Sequence, residues 1–92
     1  MAEPVSAERS VRIANKFGLH ARPAAEFVKL ASTFRCEVFV GKEDLEVNGK
    51  SIMGMMMLAA EFGSAIRIRA SGDDADDAVT QLVALVERGF GE

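Results

Sequence analysis

Hydrophobic and polar positions alternate along the first ordered stretch of the chain, where Val11 and Ile13 flank Arg12 between Ser10 and Ala14. That period of two predicts a strand with one buried face. The period then changes: Ala24, Phe27, Val28, Ala31 and Phe34 recur at helical spacing with Glu26 and Lys29 on the other side, which predicts a helix over Ala21 to Thr33. Cys36, Val38 and Val40 alternate again, Gly41 to Asp44 breaks the run, and Leu45-Glu46-Val47 completes an antiparallel hairpin. After the turn signal Asn48-Gly49, Ser51 is placed to cap a short helix over Ile52 to Ala60. Ile66 and Ile68 alternate with Arg67 and Arg69 in a fourth strand over Ala65 to Ala70. From Asp73, the stripe Ala75, Ala78, Val79, Leu82, Leu85, Val86 predicts a last helix to about Arg88, with Gly89 as its stop.

The order βαββαβα belongs to the α+β class: one antiparallel four-stranded sheet with helices packed on a single face. Ninety-two residues suffice for one core and not two, so residues 10–92 are expected to form a single domain and residues 1–9 a flexible tail. With 49% hydrophobic and 27% charged residues the chain is of ordinary globular composition. Cys36 has no partner for a disulfide and stands in a strand-like run, which points to a buried thiol in a reducing compartment, hence the cytoplasm. No segment approaches membrane-spanning length, so no membrane insertion is expected.

The net charge of −3 gives no general attraction to nucleic acid. Arg12, Arg67 and Arg69 could line up on the open sheet face as an RNA-binding stripe. However, the chain has no Trp or Tyr, only Phe39 falls on that face, and Glu37 and Glu46 are placed to neutralise the arginines. The acidic run Asp73-Asp74-Ala75-Asp76-Asp77 lacks the spacing of a calcium loop and suits a helix start, where the macrodipole favours carboxylates; no metal is expected there.

Two segments carry candidate chemistry. In Gly18-Leu19-His20-Ala21-Arg22-Pro23 the single histidine stands where a turn becomes a helix, because Pro23 is accommodated only in a first helical turn. The backbone amides of Ala21 and Arg22 then lack intrahelical partners and present the positive end of the helix to an anion on His20, while the Arg22 guanidinium can grip phosphate oxygens as a fork. Such a histidine can attack a phosphoryl donor and hold the product. Taken alone, a histidine near a helix start is more often a solvated side chain.

The second segment is Asn48-Gly49-Lys50-Ser51-Ile52-Met53-Gly54-Met55-Met56-Met57, a helix with almost no polar face. Either it is a methionine-filled core element, or Met55 and Leu58 face inward and Ile52, Met53 and Met56 are left as an apolar docking patch. Ser51 is either a plain cap or a regulatory site, since a phosphate there would meet a helix start and place about two negative charges beside the patch.

Both segments, in register, together with nearly the whole chain from Ser10 onward, resemble the HPr family, the histidine-containing phosphocarriers of the sugar phosphotransferase system. The resemblance implies an open-faced β-sandwich with three helices on one face of a four-stranded antiparallel sheet. It also implies that a monomer takes a phosphoryl group on Nδ1 of His20 from phosphorylated enzyme I, charged from phosphoenolpyruvate, and passes it to enzyme IIA domains. On this reading Arg22 steadies the phosphate and no cofactor is needed. The chain is then a stoichiometric carrier and not an enzyme. Ser51 matches the serine modified by a dedicated kinase and phosphorylase, and Ile52, Met53 and Met56 match the family's docking surface. Phe17 stands where many relatives carry a small or polar residue, which leaves the sugar and nitrogen-regulatory branches both open. The alternative is a purely regulatory module whose docking is controlled by the phosphorylation states of Ser51 and His20.

Overall fold

The computed structural model describes residues 5–92. Seven main elements follow in the expected order: β1 (Ser6–Arg12), α1 (Ala21–Ala31), β2 (Glu37–Lys42), β3 (Leu45–Asn48), α2 (Ile52–Met57), β4 (Ala65–Ser71) and α3 (Ala75–Glu87), with a short 3-10 turn over Gly89–Gly91. The four strands form one antiparallel sheet in the order β1-β4-β2-β3. α3 packs over β1 and β4, and α1 packs beside it and against α2. This is the open-faced α+β sandwich, with all three helices on one side.

The alternation seen in the sequence decides which side is covered. Val40 pairs with Ile68, Val38 with Ala70 and Val11 with Ile66, and all six side chains are buried under the helices. Phe27 and Ala24 of α1, Met55 of α2, and Leu82, Val79 and Val86 of α3 complete this core. Hydrophobic burial of this kind is the main stabilising term, at about 25 cal/mol per Å² of apolar surface.

Several boundaries differ from expectation. β2 continues through Gly41 and Lys42, where a break was predicted, because both pair across to Glu46 and Leu45 of β3. β1 begins at Ser6 and ends at Arg12, where the alternation predicted Ser10 to Ala14, because Ser6, Ala7, Glu8 and Arg9 are held by backbone pairing to Ser71, Ala70, Arg69 and Ile68. The expected tail over residues 1–9 is therefore part of the sheet from Ser6; residues 1–4 lie outside the described residues. α1 ends at Ala31 and not Thr33, closed by bonds from Ser32, Thr33 and Phe34 amides to carbonyls three or four residues back. α2 ends at Met57 and not Ala60, because Ala59 adopts a left-handed φ of 50° that no helix continues through.

The outer face of the sheet is self-satisfied. Arg69 stacks on Phe39 at 4.3 Å from the ring centroid and pairs with Glu46 at 2.8 Å, a contact that raises its pKa, chiefly through the hydrogen bond. Arg67 lies across Gly41, where a Cβ would strike its guanidinium, and donates to the Glu43 carbonyl. Arg12 donates to the Gly63 carbonyl. Glu46 neutralises Arg69 as expected, whereas Glu37 makes no ion pair with the arginines among the described residues. A stripe whose guanidinium groups are committed in this way is poorly placed to track a nucleic-acid backbone.

Candidate functional site

Asn15 opens the loop that leads to the helix start. It is buried, and its Nδ2 donates to the Gly18 carbonyl at 2.7 Å, closing the turn. Gly18 has φ of +68°, which favours glycine, and its α-carbon is packed against the Ala60 carbonyl where a Cβ could not fit. Leu19 is buried and its amide donates to the same carbonyl at 2.9 Å. The loop is thus fixed on both sides before His20, which caps α1 with an extended backbone (φ −74°, ψ −176°) while its carbonyl accepts the first helical bond from Ala24. The imidazole makes no bond to the helix end and stays 42% exposed. Ala21 and Arg22 occupy the first turn, both exposed, and Pro23 is buried behind them. No acidic residue lies in this turn, so the positive end of the helix has no carboxylate of its own to neutralise it.

Two residues of the site escaped the sequence reading. After α3, Gly89 at φ +66° and Phe90 at φ +58°, the latter buried, reverse the chain and bring Glu92 back to the loop. The Glu92 carboxylate accepts from Asn15 Nδ2 at 2.9 Å and meets His20 Nε2 at 3.0 and 3.3 Å through its two oxygens. The bond from Asn15 is the first cause of a Glu92 pKa below its ordinary value, aided by His20 and the Arg22 charge. The run Asn15-Lys16-Phe17-Gly18 is a turn signal that could have drawn attention to Asn15; no local signal marks Glu92, 72 residues from His20. Phe17 stands edge-on to the imidazole at 6.4 Å and is exposed, with Lys16 Nζ over its own ring at 5.3 Å from the centroid. An open cleft of about 500 Å³ runs beside the pair, lined by Lys16, Arg22, Arg88, Glu87 and Glu92 among others.

The second segment lies next to the first. Ser51 caps α2, and its Oγ accepts from the Gly54 amide at 3.0 Å. Met55 is fully buried, while Ile52 and Met56 are each 44% exposed and Met53 77% exposed; Met57 and Phe62 are exposed as well. The helix is therefore a patch with one inward methionine and not a methionine-filled core. The Gly18 and Leu19 contacts to Ala60 join this patch to the His20 loop.

The acidic run at α3 is structural. Asp74 accepts from the Arg35 and Cys36 amides at 2.9 Å each, and Asp77 accepts from Gln81 at 3.1 Å. Among the described residues no three His, Cys, Asp or Glu side chains stand together as a metal cage, and no helix is long and apolar enough to cross a membrane.

Fold and site together define a small open-faced α+β domain that presents an exposed imidazole at a helix start, flanked by Arg22 and the Glu92 carboxylate. Residues 7–88 match the family model described as "PTS HPr component phosphorylation site". The chain is similar to the phosphocarrier protein HPr of Neisseria meningitidis serogroup A, at 48% identity over 85 residues covering 92% of this chain and 96% of that protein. It is likewise similar to the HPr-like protein Crh of Halalkalibacterium halodurans, at 44% over 81 residues covering 88% and 96%. The crystal structure of an HPr from Thermoanaerobacter tengcongensis superposes with a TM-score of 0.90 at 48% identity, covering 94% of this chain and 97% of that one. The chain belongs to the HPr family of phosphotransferase-system phosphocarriers.

Proposed function

We propose that His20 accepts a phosphoryl group on Nδ1 from phosphorylated enzyme I, charged from phosphoenolpyruvate, and hands it to enzyme IIA domains, so that the chain acts as a stoichiometric cytoplasmic carrier and not as an enzyme. The observation that carries this reading is the placement of a half-exposed His20 at the start of α1, with no carboxylate in the first turn. A phosphate on the ring would meet the free Ala21 and Arg22 amides and the positive helix end, where anions are stabilised by about 0.3–1 kcal/mol at exposed sites. Arg22 supplies a guanidinium for the phosphate oxygens. The product is thus held without being buried, and a partner can reach it.

Ile52, Met53 and Met56 serve as the docking surface for enzyme I and the IIA domains, since an apolar patch beside a reactive group seats a partner with that group in reach. Methionines suit a surface that must fit more than one partner. Ser51 is the regulatory site of an HPr kinase/phosphorylase. A phosphate on its Oγ would add about two negative charges at the edge of the patch and disfavour acidic partners. The carrier works as a monomer, although an HPr of Thermoanaerobacter tengcongensis and the Crh of Bacillus subtilis, both similar in structure, have been crystallised as dimers.

A second reading, a module that acts only through Ser51-dependent docking, is favoured by the similarity to the HPr-like protein Crh. Incubation with phosphoenolpyruvate and enzyme I, followed by intact mass and acid treatment, separates the two. The carrier gains one phosphoryl group that acid removes and that His20→Ala never acquires. A folded chain that gains none is left with the docking role.

A further inference from the structure

Four of the five methionines of the chain fall between Met53 and Met57, interrupted by Gly54 alone. The fold sorts them by exposure: Met53 is 77% exposed, Met57 66% and Met56 44%, whereas Met55 is fully buried. We propose that the outer face of α2 is an oxidant-modified site, at which peroxide converts Met53, Met57 and Met56 to sulfoxides within an intact fold, so that the face, now polar, no longer seats enzyme I. The loss of docking rests on the reading of Met53 and Met56 as the seat of that partner; the modification itself does not.

The helical spacing brings the exposed sulfurs together. Residues three and four apart share a helix face, so Met53 stands beside both Met56 and Met57. Gly54 and Met55 form the inner side, Gly54 against the Asn48 carbonyl and Val47, Met55 in the core. The bonds that hold the helix involve no thioether. Ser51 Oγ caps its start on the Gly54 amide, and the Leu58 and Ala59 amides close its end on the Met55 and Met56 carbonyls. An oxygen added to an outer sulfur therefore enters water and leaves these bonds in place. The single cysteine does not compete for the oxidant: Cys36 is buried, and burial pushes its thiol up to about 11, so little thiolate is present to react.

In the reaction a sulfur lone pair attacks one oxygen of hydrogen peroxide and the O–O bond breaks. The electron pair of that bond leaves as hydroxide, which takes the proton carried by the transferred oxygen. Thioether and peroxide thus become sulfoxide and water; sulfur is oxidised by two electrons and the peroxide is reduced by two. A sulfoxide reductase reverses the change, two thiols becoming a disulfide as the oxygen departs in water. The sulfoxide is strongly polar, and pressing it against an apolar partner strips its hydration without supplying a bond in return. His20 is untouched, so seating is weakened while the chemical step is not.

The test uses the full chain, isotopically labelled at the methionine methyl carbons, and its Met53→Leu, Met56→Leu, Met57→Leu triple variant, which keeps that face apolar without thioethers. Methyl NMR during treatment with hydrogen peroxide follows each sulfur separately. Met53 and Met57 are expected to react first and Met56 after them, with Met55 still reduced and the urea midpoint near that of the untreated chain. At that stage the KM for transfer from phosphorylated enzyme I is expected to rise about tenfold at unchanged kcat. Methionine sulfoxide reductases are expected to restore it. The triple variant, whatever its own starting KM, is expected to keep that value after peroxide. Oxidation of Met55 as fast as Met53, an unfolded product, or an unmoved KM after full conversion of Met53 and Met56 overturns the proposal. So does an equal rise in KM in the triple variant, which would place the sensitive group elsewhere. If the untreated chain accepts no phosphoryl group from enzyme I, the carrier reading fails instead, and the order of methyl oxidation in the folded chain alone decides whether α2 is the modified site.

Discussion

The Leu19 amide donates to the Ala60 carbonyl at 2.9 Å, and this bond ties the loop that presents His20 to the segment that leaves the methionine-bearing helix α2. His20 and the exposed face of α2 are thereby held as one surface, although they lie far apart in sequence. On the proposed carrier function, a partner seated on Met53 and Met56 would meet His20 at a fixed offset, which is what transfer between two proteins requires.

The same joint makes Gly18 intolerant of substitution. Gly18→Ala combines a left-handed φ with a Cβ driven onto the Ala60 carbonyl, and is expected to cost about 2 kcal/mol or more by urea unfolding. Gly63→Ala provides the control, since Gly63 also has positive φ but nothing stands within 4 Å of its added Cβ; there the cost is strain alone, about 1 kcal/mol. Equal losses in the two variants would show that the contact with Ala60 is not tight.

Ser51→Ala removes the side-chain acceptor of the Gly54 amide and is expected to lower stability by about 1 kcal/mol. Ser51→Asp keeps an acceptor at the cap and is expected to unfold at nearly the wild-type urea concentration while slowing transfer from enzyme I. A slow Ser51→Asp variant that is also unfolded would mean that the cap, and not added charge, accounts for the effect.

Asp74 titrates below the ordinary carboxylate range because the Arg35 amide, foremost, and the Cys36 amide bond to its ionised form. A carboxyl whose folded pKa is depressed stabilises the fold above its unfolded pKa, and that contribution is lost as pH falls through the folded value. The urea midpoint of wild type is therefore expected to fall between about pH 5 and pH 3. Asp74→Ala should start lower at neutral pH and fall less steeply over the same interval. Parallel curves for the two proteins would assign the acid sensitivity elsewhere.

Burial pushes the Cys36 thiol up to about 11, with the Asp74 carboxylate adding to the effect. Only the thiolate reacts with disulfide reagents, so at pH 8 the folded protein is expected to stay unlabelled while denatured chain labels fully. Rapid labelling under native conditions would reveal local opening of the loop between α1 and β2.

Much of this molecule was legible because local pattern and global packing agree. Ile66 and Ile68 alternate with Arg67 and Arg69 in the sequence and face opposite sides of the sheet in the fold. Pro23 and Gly18 marked the helix start at His20, and Ser51 marked the start of α2. The start of β1 was not legible, because Glu8 and Arg9 carry no apolar signal and are placed only by pairing with β4. Glu92 was not legible for a similar reason. Its contact with His20 depends on the reversal at Gly89 and Phe90, and a phenylalanine at φ +58° is set by tertiary packing, not by local preference.

The strand order has a bearing on how the molecule comes into being. β1 pairs with β4 alone, joining Ser6 to Ser71 and Arg12 to Ala65. A chain emerging from its N-terminal end therefore carries an edge with no mate until β4 has been made, whereas α1 and the β2–β3 hairpin can form early from neighbouring residues. Sheet closure has to await a distant segment, and such non-local pairing slows folding relative to helical bundles of the same size. Half-made chains expose one unpaired, partly apolar strand, and its polar residues Ser6, Glu8, Arg9 and Ser10 discourage it from pairing with another chain in the meantime.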